Sequence, residues 1–302
     1  MSCPQPRASV VIPHLNTPDL LARCLQSVLA QVLDTGSFEV IVVDNGSSRP
    51  LAPVEAAFPA VRFLREARPG PGHARNTGIA AASAATIVCI DADCRAAPGW
   101  LQAAVEAVEA DPDHPAGGEI TIDFVDPARL TGIEAYEAVF GFRQRMYIEA
   151  KQFSVTANLA TARSLHAKIG PFGGIDIAEA LDWGKRAHAA GHATRFVPAL
   201  HVLHPARPDM AALKRKWQRH IRHDWTERQG PMLHWYVRAL ALLLSVPVEA
   251  VKLVTSPRVH GVGNRLRGVG VLAAIRMFRA AEMLRVAANP AGSGADHWNR
   301  AA

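Results

Sequence analysis

Between residues 8 and 123, short apolar runs alternate with segments of helical period, and this leaves few folds open to the chain. The runs at 8–12, 38–43, 61–64 and 86–90 are rich in β-branched residues and read as strands, with a further strand near 119–123. Between them, 18–32 reads as a helix with Thr17 as N-cap, and 76–85 and 98–110 read as two more. Strand and helix taking turns in this way predict a Rossmann-like, mostly parallel sheet with helices on both faces.

The rhythm then loosens. An aromatic-rich stretch at 127–150 predicts one helix, 153–159 a polar strand, 161–169 and 177–190 two helices, and 193–197 a strand. With 302 residues, the chain can bury a full core in one large domain or two. Its 49% hydrophobic and 20% charged residues exclude a disordered, collagen-like or disulfide-scaffold protein. Cys3, Cys24, Cys89 and Cys94 lack zinc-type spacing and read as reduced core or strand residues of a cytosolic protein. No apolar leader precedes the strand at residue 8, so the expected location is the cytoplasmic face.

Charge is distributed unevenly. Residues 1–204 carry 17 Lys and Arg against 21 Asp and Glu, a net −4, whereas 205–285 carry 15 against 5, a net +10. Within that basic region, 234–255 is apolar but is interrupted by Pro247, Glu249 and Lys252. It falls short of the roughly 20 uninterrupted apolar residues of a spanning helix. Residues 271–286 read as a second, basic amphipathic helix. Such a region either packs on the catalytic domain with a solvated basic face or lies on anionic lipid as a peripheral or monotopic anchor. Aromatic residues are too sparse there for base stacking, so no nucleic acid partner is expected.

The chemistry-bearing residues gather where strands end. Asp91 and Asp93 follow the run TIVCI, and carboxylates at i and i+2 of an extended chain project to the same side, where both can reach one hard cation. Alone, that pattern also describes an ordinary acidic turn. Asp44, Asn45, Gly46, Ser47 and Ser48 close the strand at 38–43 in the same fashion, and the carboxyl edge of an open α/β sheet is where ligands sit.

Four segments, SVVIPHLN (9–16), IVVDNGSS (41–48), PGPGHARNTGI (69–79) and CIDADC (89–94), together resemble the family 2 glycosyltransferases, inverting enzymes of the GT-A fold that use nucleotide-diphosphate sugars. The likeness continues more loosely to about residue 205. It implies that Pro13, His14 and Asn16 cradle the nucleotide, with His14 and Leu15 standing where a Thr-Tyr pair is common. It further implies that Asp44 receives nucleobase N–H groups, where an N-cap or Asx-turn role is the alternative. Gly46, Gly70 and Gly72 belong to the donor loops, and Arg75 and Asn76 to the sugar or diphosphate contacts. Asp91 is then expected on the ribose or sugar, and Asp93 on Mn2+ or Mg2+. His204 is either a further metal ligand or a residue closing the last strand. Beyond it, 214–222 has helical spacing able to gather Lys214, Arg215, Arg219 and Arg222, a solvated face or one that closes over a diphosphate.

The resemblance fails at one position. An inverting transferase needs a carboxylate to take the acceptor proton, and the family supplies it as the Asp of a Glu-Asp pair. Aligning Arg186 and Gly191 puts Glu179 on the Glu and Ala180 on the Asp. A deliberate Asp→Ala replacement, Glu179 acting as base, and a natural pseudoenzyme all remain open, with Asp176 and Asp182 as acceptor-binding candidates. The expected organisation is a GT-A catalytic domain over 1–205, with a nucleotide-sugar half at 8–123 and an acceptor half at 124–205, followed by a membrane-associating helical region at 206–302. The expected partners are a nucleotide-diphosphate sugar, UDP favoured, and a lipid or lipid-linked glycan acceptor at an anionic membrane surface. A non-catalytic sugar-nucleotide-binding scaffold and a nucleotidyltransferase are the alternatives; 11–17 lacks the glycine-rich triphosphate loop and basic residue of the latter.

Overall fold

A computed structural model describes residues 5–175 and 177–289. The N-terminal rhythm becomes β1 (Ala8–His14), α1 (Pro18–Leu29), β2 (Phe38–Asp44), α2 (Ala52–Ala57), β3 (Arg62–Arg65), α3 (Pro71–Ala81), β4 (Thr86–Ile90), the two-residue β5 (Arg95–Ala96), α4 (Trp100–Ala110) and β6 (Ala116–Asp123). There follow α5 (Gly132–Phe140), α6 (Gln144–Lys151), β7 (Asn158–Ala162), α7 (Arg163–Ile169), α8 (Glu179–Ala189) and β8 (Arg195–Pro205). The chain ends in α9 (Met210–Thr226), α10 (Met232–Leu244), α11 (Val246–Thr255) and α12 (Val262–Ala288). It divides into two units, one of residues up to 121 with 143–204, the other of 122–142 with residues from 205 on.

The first unit is built on an eight-stranded sheet of order β3-β2-β1-β4-β7-β6-β8-β5. β1 pairs in parallel with β2 and β4, and β2 with β3, but β7 runs antiparallel to β4 and β6, and β5 antiparallel to β8. The sheet is therefore mixed, and the expected mostly parallel sheet holds only for β3-β2-β1-β4. Apolar runs reveal that a strand is buried without revealing its direction. β4 is buried at every position. α1 covers its strands with Leu21, Cys24, Leu25 and Val28, the i, i+3, i+4, i+7 face of an amphipathic helix. A polar clasp joins the two halves of the sheet: the Trp100 indole donates to Asn158 Oδ1 (2.9 Å), and Asn158 Nδ2 donates to the carbonyls of Glu119 (2.9 Å) and Leu200 (2.8 Å).

The second unit is helical. α5 opens with a capping box, Thr131 accepting from Glu134 N and Glu134 accepting from Thr131 N. α12 lies against α5 so closely that a Cβ on Gly268 would stand 3.0 Å from the Ala135 methyl. The Trp235 indole fastens α10 to α12 by donating to Met283 O at 2.8 Å. The single helix expected over 127–150 is two, α5 and α6, interrupted after Phe140. The apolar stretch at 234–255 also divides, because Pro247 lacks an N–H and occupies the first turn of a new helix, α11. Among the described residues, no helix is long and apolar enough to cross a membrane.

Candidate functional site

The carboxyl ends of β1 and β2 carry the first cluster, and their parallel register sets His14 directly beside Asp44. His14 Nε2 accepts from Thr17 N (3.1 Å), so the ring proton belongs on Nδ1, which faces Asp44 Oδ1 at 3.3 Å. Burial lowers the imidazole pKa against the pull of Asp44, which keeps the ring neutral and the Nδ1–H donating. Thr17 is the N-cap of α1 as expected, although its side chain makes no cap bond, and its own N–H is taken by His14. Ser47 N donates to the same Asp44 oxygen at 3.3 Å.

Asn16 takes a left-handed conformation, φ 57°. Its Oδ1 accepts from Ser48 N (2.8 Å), Ser48 Oγ (3.1 Å) and Arg49 N (3.3 Å), tying the loop after β1 to the loop after β2. Pro13 stands opposite Val43 in the ladder, one residue before this edge. Gly46 (φ 83°) has nothing within 4 Å of a would-be Cβ, so conformation rather than space calls for glycine there.

The glycine-rich loop is knitted inward. Gly70 (φ 123°) donates its N–H to Asn45 Oδ1 at 2.7 Å, and Asn45 Nδ2 donates to the carbonyls of Glu66 and Arg68. A Cβ on Gly72 would stand 2.0 Å from Gly173 O, so the backbone approaching this helix start belongs to the 172–175 segment. Asn76, expected on the donor sugar, places both amide groups on Phe172, donating to its carbonyl (2.8 Å) and accepting its N–H (2.9 Å). Glu66, which sequence reasoning passed over, accepts from Thr77 Oγ1 (2.5 Å) and from Arg68, whose hydrogen bonds pull its carboxyl down to about 2. No motif marked it.

Arg75 is the hub. Its side chain is 2% exposed, with Nη2 donating to Asp91 Oδ1 at 2.6 Å and Nη1 to Glu179 Oε1 at 3.1 Å. Burial works to lower the guanidinium pKa, and the two carboxylates more than reverse it, so the group is held as a cation. Burial raises the Asp91 carboxyl, Arg75 opposing and Asp93 adding to the rise.

Asp93 and His204, far apart in the chain, meet with Asp93 Oδ2 and His204 Nε2 3.3 Å apart. With Cys94 they form a group whose ligand atoms all lie within 4.8 Å of one another. In the absence of a metal, burial pushes the Cys94 thiol well up and the Cys89 thiol to about 12, and Cys24 is raised likewise. Asp93 and His204 offer a carboxylate oxygen and an imidazole nitrogen, donors able to hold a divalent cation, with the Cys94 sulfur beside them.

At the start of α8, Ala180 is half-buried in the first turn, immediately after Glu179. Asp182 accepts from Arg186 Nε (2.9 Å), and Arg186 also reaches the carbonyls of Ile169 and Pro171, so Asp182 braces its own helix. Asp176 lies outside the described residues.

The profile of the family described as "Glycosyl transferase family 2" matches residues 9–175. The glycosyltransferase AglE of Haloferax volcanii is 29% identical over 224 residues, 72% of this chain and 73% of its own length. The succinoglycan biosynthesis protein ExoO of Rhizobium meliloti is 34% identical over 130 residues, 42% of this chain and 35% of its own. Among solved structures, the mannosyltransferase PcManGT of Pyrobaculum calidifontis, in complex with GDP-Man and Mn2+, is similar in fold with a TM-score of 0.59 at 19% identity, covering 94% of this chain and 86% of that one.

Proposed function

Because this chain belongs to glycosyl transferase family 2, we propose that it moves one sugar from a nucleotide-diphosphate sugar to an acceptor hydroxyl with inversion. The observation that carries this reading is that Asp44 ends and Asp91 follows parallel strands at the same sheet edge, where Arg75 pairs with Asp91 and where Asp93 meets His204. In this reading Asp44, oriented by His14, accepts from the nucleobase. Asp91, steadied by Arg75, faces the ribose or sugar. Asp93 and His204 hold a divalent cation, which when bound supplies Lewis-acid stabilisation of the leaving diphosphate. UDP is the favoured nucleotide, and the GDP-Man found in PcManGT makes GDP its nearest competitor.

The acceptor we propose is a membrane lipid or lipid-linked glycan at the cytoplasmic leaflet. The support is a run of exposed apolar residues on α10, Leu233, Tyr236, Val237, Leu240 and Leu244, continued on α11 by Val248 and Val251. Spacing of three and four residues puts such a set on one helical stripe, and the surrounding net charge of +10 favours anionic headgroups. A second reading, a non-catalytic sugar-nucleotide-binding scaffold at the membrane, rests on Ala180.

Thermal stability against UDP, GDP, TDP and CMP, each with and without Mn2+, tests the donor site. A ligand at ~100 times its dissociation constant adds roughly 2.7 kcal/mol, so one diphosphate is expected to raise the melting temperature only with metal present. A folded sample that responds to none of them rejects the transferase reading.

A further inference from the structure

Cys94 belongs to a group that sequence spacing does not announce. β5 pairs antiparallel with β8 through Arg95 opposite Leu203 and Ala96 opposite Val202. Carried one rung further, that register sets Cys94 opposite His204, and directly opposed residues turn their side chains to the same face. Cys94 N donates to Asp91 O at 3.0 Å, closing the tight turn that also carries Asp93. Strand pairing and turn thus gather an aspartate, a cysteine and a histidine whose ligand atoms lie within 4.8 Å of one another.

Their separations are those of ligands around one small cation. Asp93 Oδ2 and His204 Nε2 are 3.3 Å apart, and Cys94 Sγ lies 3.6 Å from Asp93 Oδ1. A tetrahedral zinc, with bonds of about 2.1 Å to oxygen and nitrogen and about 2.3 Å to sulfur, spaces oxygen and nitrogen about 3.4 Å apart and oxygen and sulfur about 3.6 Å apart. A thiol hydrogen bond to Asp93 explains the second distance alone, but not the arrival of His204 at the same place. The Asp93 side chain is 35% exposed and that of His204 13%, whereas Cys94 is fully buried. A cation would therefore enter from the Asp93 side and keep its open position there, the pattern of three protein ligands and one exchangeable one that catalytic zinc sites use.

We propose that Cys94 is a third ligand to the cation held by Asp93 and His204, and that the three together form a site for Zn2+ in preference to the harder Mn2+ or Mg2+. The proposal rests on the transferase reading for the roles of Asp93 and His204 and adds the sulfur to them. As the cation binds, the Cys94 S–H bond breaks, its proton leaves to solvent and the sulfur lone pair goes to the metal. A thiolate supplies a selectivity that a carboxylate and an imidazole lack, because soft sulfur favours zinc over metals that prefer oxygen. Zn2+ then competes with Mn2+ for the donor diphosphate.

Co2+ is the probe, since a thiolate bound to it gives a sulfur-to-metal charge-transfer band in the near ultraviolet, separate from the visible d–d bands. The full chain is titrated with Co2+ alone and with saturating UDP or GDP. The charge-transfer band is expected in the wild type, absent in Cys94→Ser, and retained in Cys24→Ser and Cys89→Ser. Zn2+ outbinds Mn2+ at most nitrogen, oxygen and sulfur sites, so the preference alone decides nothing; Cys94→Ser is expected to narrow the ratio of the two dissociation constants at least about tenfold. X-ray absorption of the Zn2+-loaded wild type requires no variant to fold and is expected to show one sulfur at about 2.3 Å. Cobalt d–d bands without charge transfer, or zinc without a sulfur neighbour, overturn the proposal while leaving Asp93 and His204 as ligands. A band that survives Cys94→Ser comes from another cysteine and overturns it likewise, and so does the absence of cobalt binding under every condition. A band lost only in Cys94→Ser, in a protein whose melting temperature ignores every nucleotide, would reject the transferase reading and leave this site standing.

Discussion

Arg75 joins Glu179 at 3.1 Å while gripping Asp91 at 2.6 Å, so one buried guanidinium fastens the first turn of α8 to the end of β4. Glu179 is thereby committed. For it to take a proton from an acceptor, this bridge would have to open, which favours Glu179 as a structural partner of Arg75 over Glu179 as the base.

Arg75→Met removes the only cation in that bridge and leaves Asp91 and Glu179 facing each other. Breaking a buried pair costs about 3–5 kcal/mol. Asp91 keeps a third of its side chain in solvent and Glu179 a sixth, which points to about 3 kcal/mol. Urea denaturation measures it, and Arg75→Lys is expected to recover only part, since an ammonium cannot grip both carboxylates with a planar fork.

Ala180→Asp introduces the carboxylate that the resemblance implies after the Glu. General-base catalysis contributes typically 10²–10⁴-fold, so transfer should rise by about that factor with nucleotide affinity unchanged. The new charge sits in the first turn of α8, where the helix dipole favours an anion by about 0.3–1 kcal/mol. Stability is therefore expected to hold or rise slightly. Equal turnover by the two forms, measured with matched donor and acceptor, would remove Ala180 from the catalytic argument.

The strands of the parallel half were legible because burial on both faces writes them as continuous apolar runs: Thr86–Ile90 is found where the sequence places it. Strand direction was not legible, since the reversal at β7 depends on pairing across the sheet and not on any local period. Asp93 and His204 could be named from the resemblance, yet their 3.3 Å approach is a property of the fold. Asn76 read as a ligand-facing polar residue, yet its amide holds the Phe172 backbone, because a side-chain amide serves a neighbouring peptide as well as it serves a sugar. His14 read as a departure from the usual pattern, and its neutral ring is what orients Asp44.

His166 links folding to acid. Packed against Phe172 and Trp183, with Nε2 buried and unpartnered, its imidazole is lowered to about 4 by burial first and by Arg186 second. The unfolded chain binds this proton near pH 6.5 and the folded chain only near pH 4. Stability is therefore complete above about pH 6.5 and is lost as pH falls from there toward 4. A shift of this size corresponds to about 3 kcal/mol. His166→Phe should flatten that part of the pH profile in urea titrations, whatever it does to stability at pH 8; an unchanged slope would exclude His166 as its source.

The apolar stripe of α10 makes the membrane proposal measurable. Leu240 and Leu244 are 56% and 68% exposed, so replacing both with Asp should change folding stability by no more than about 0.5 kcal/mol each. Each leucine inserted among acyl chains contributes about 1.5–3 kcal/mol, and the pair should therefore lower partitioning onto anionic vesicles by about a hundredfold or more. High salt should weaken binding further, since the basic residues around the stripe act through screened attraction. Flotation with vesicles of mixed neutral and anionic lipid reads both effects. Retention of full binding by the double variant would mean that these helices meet the membrane by charge alone or through another face.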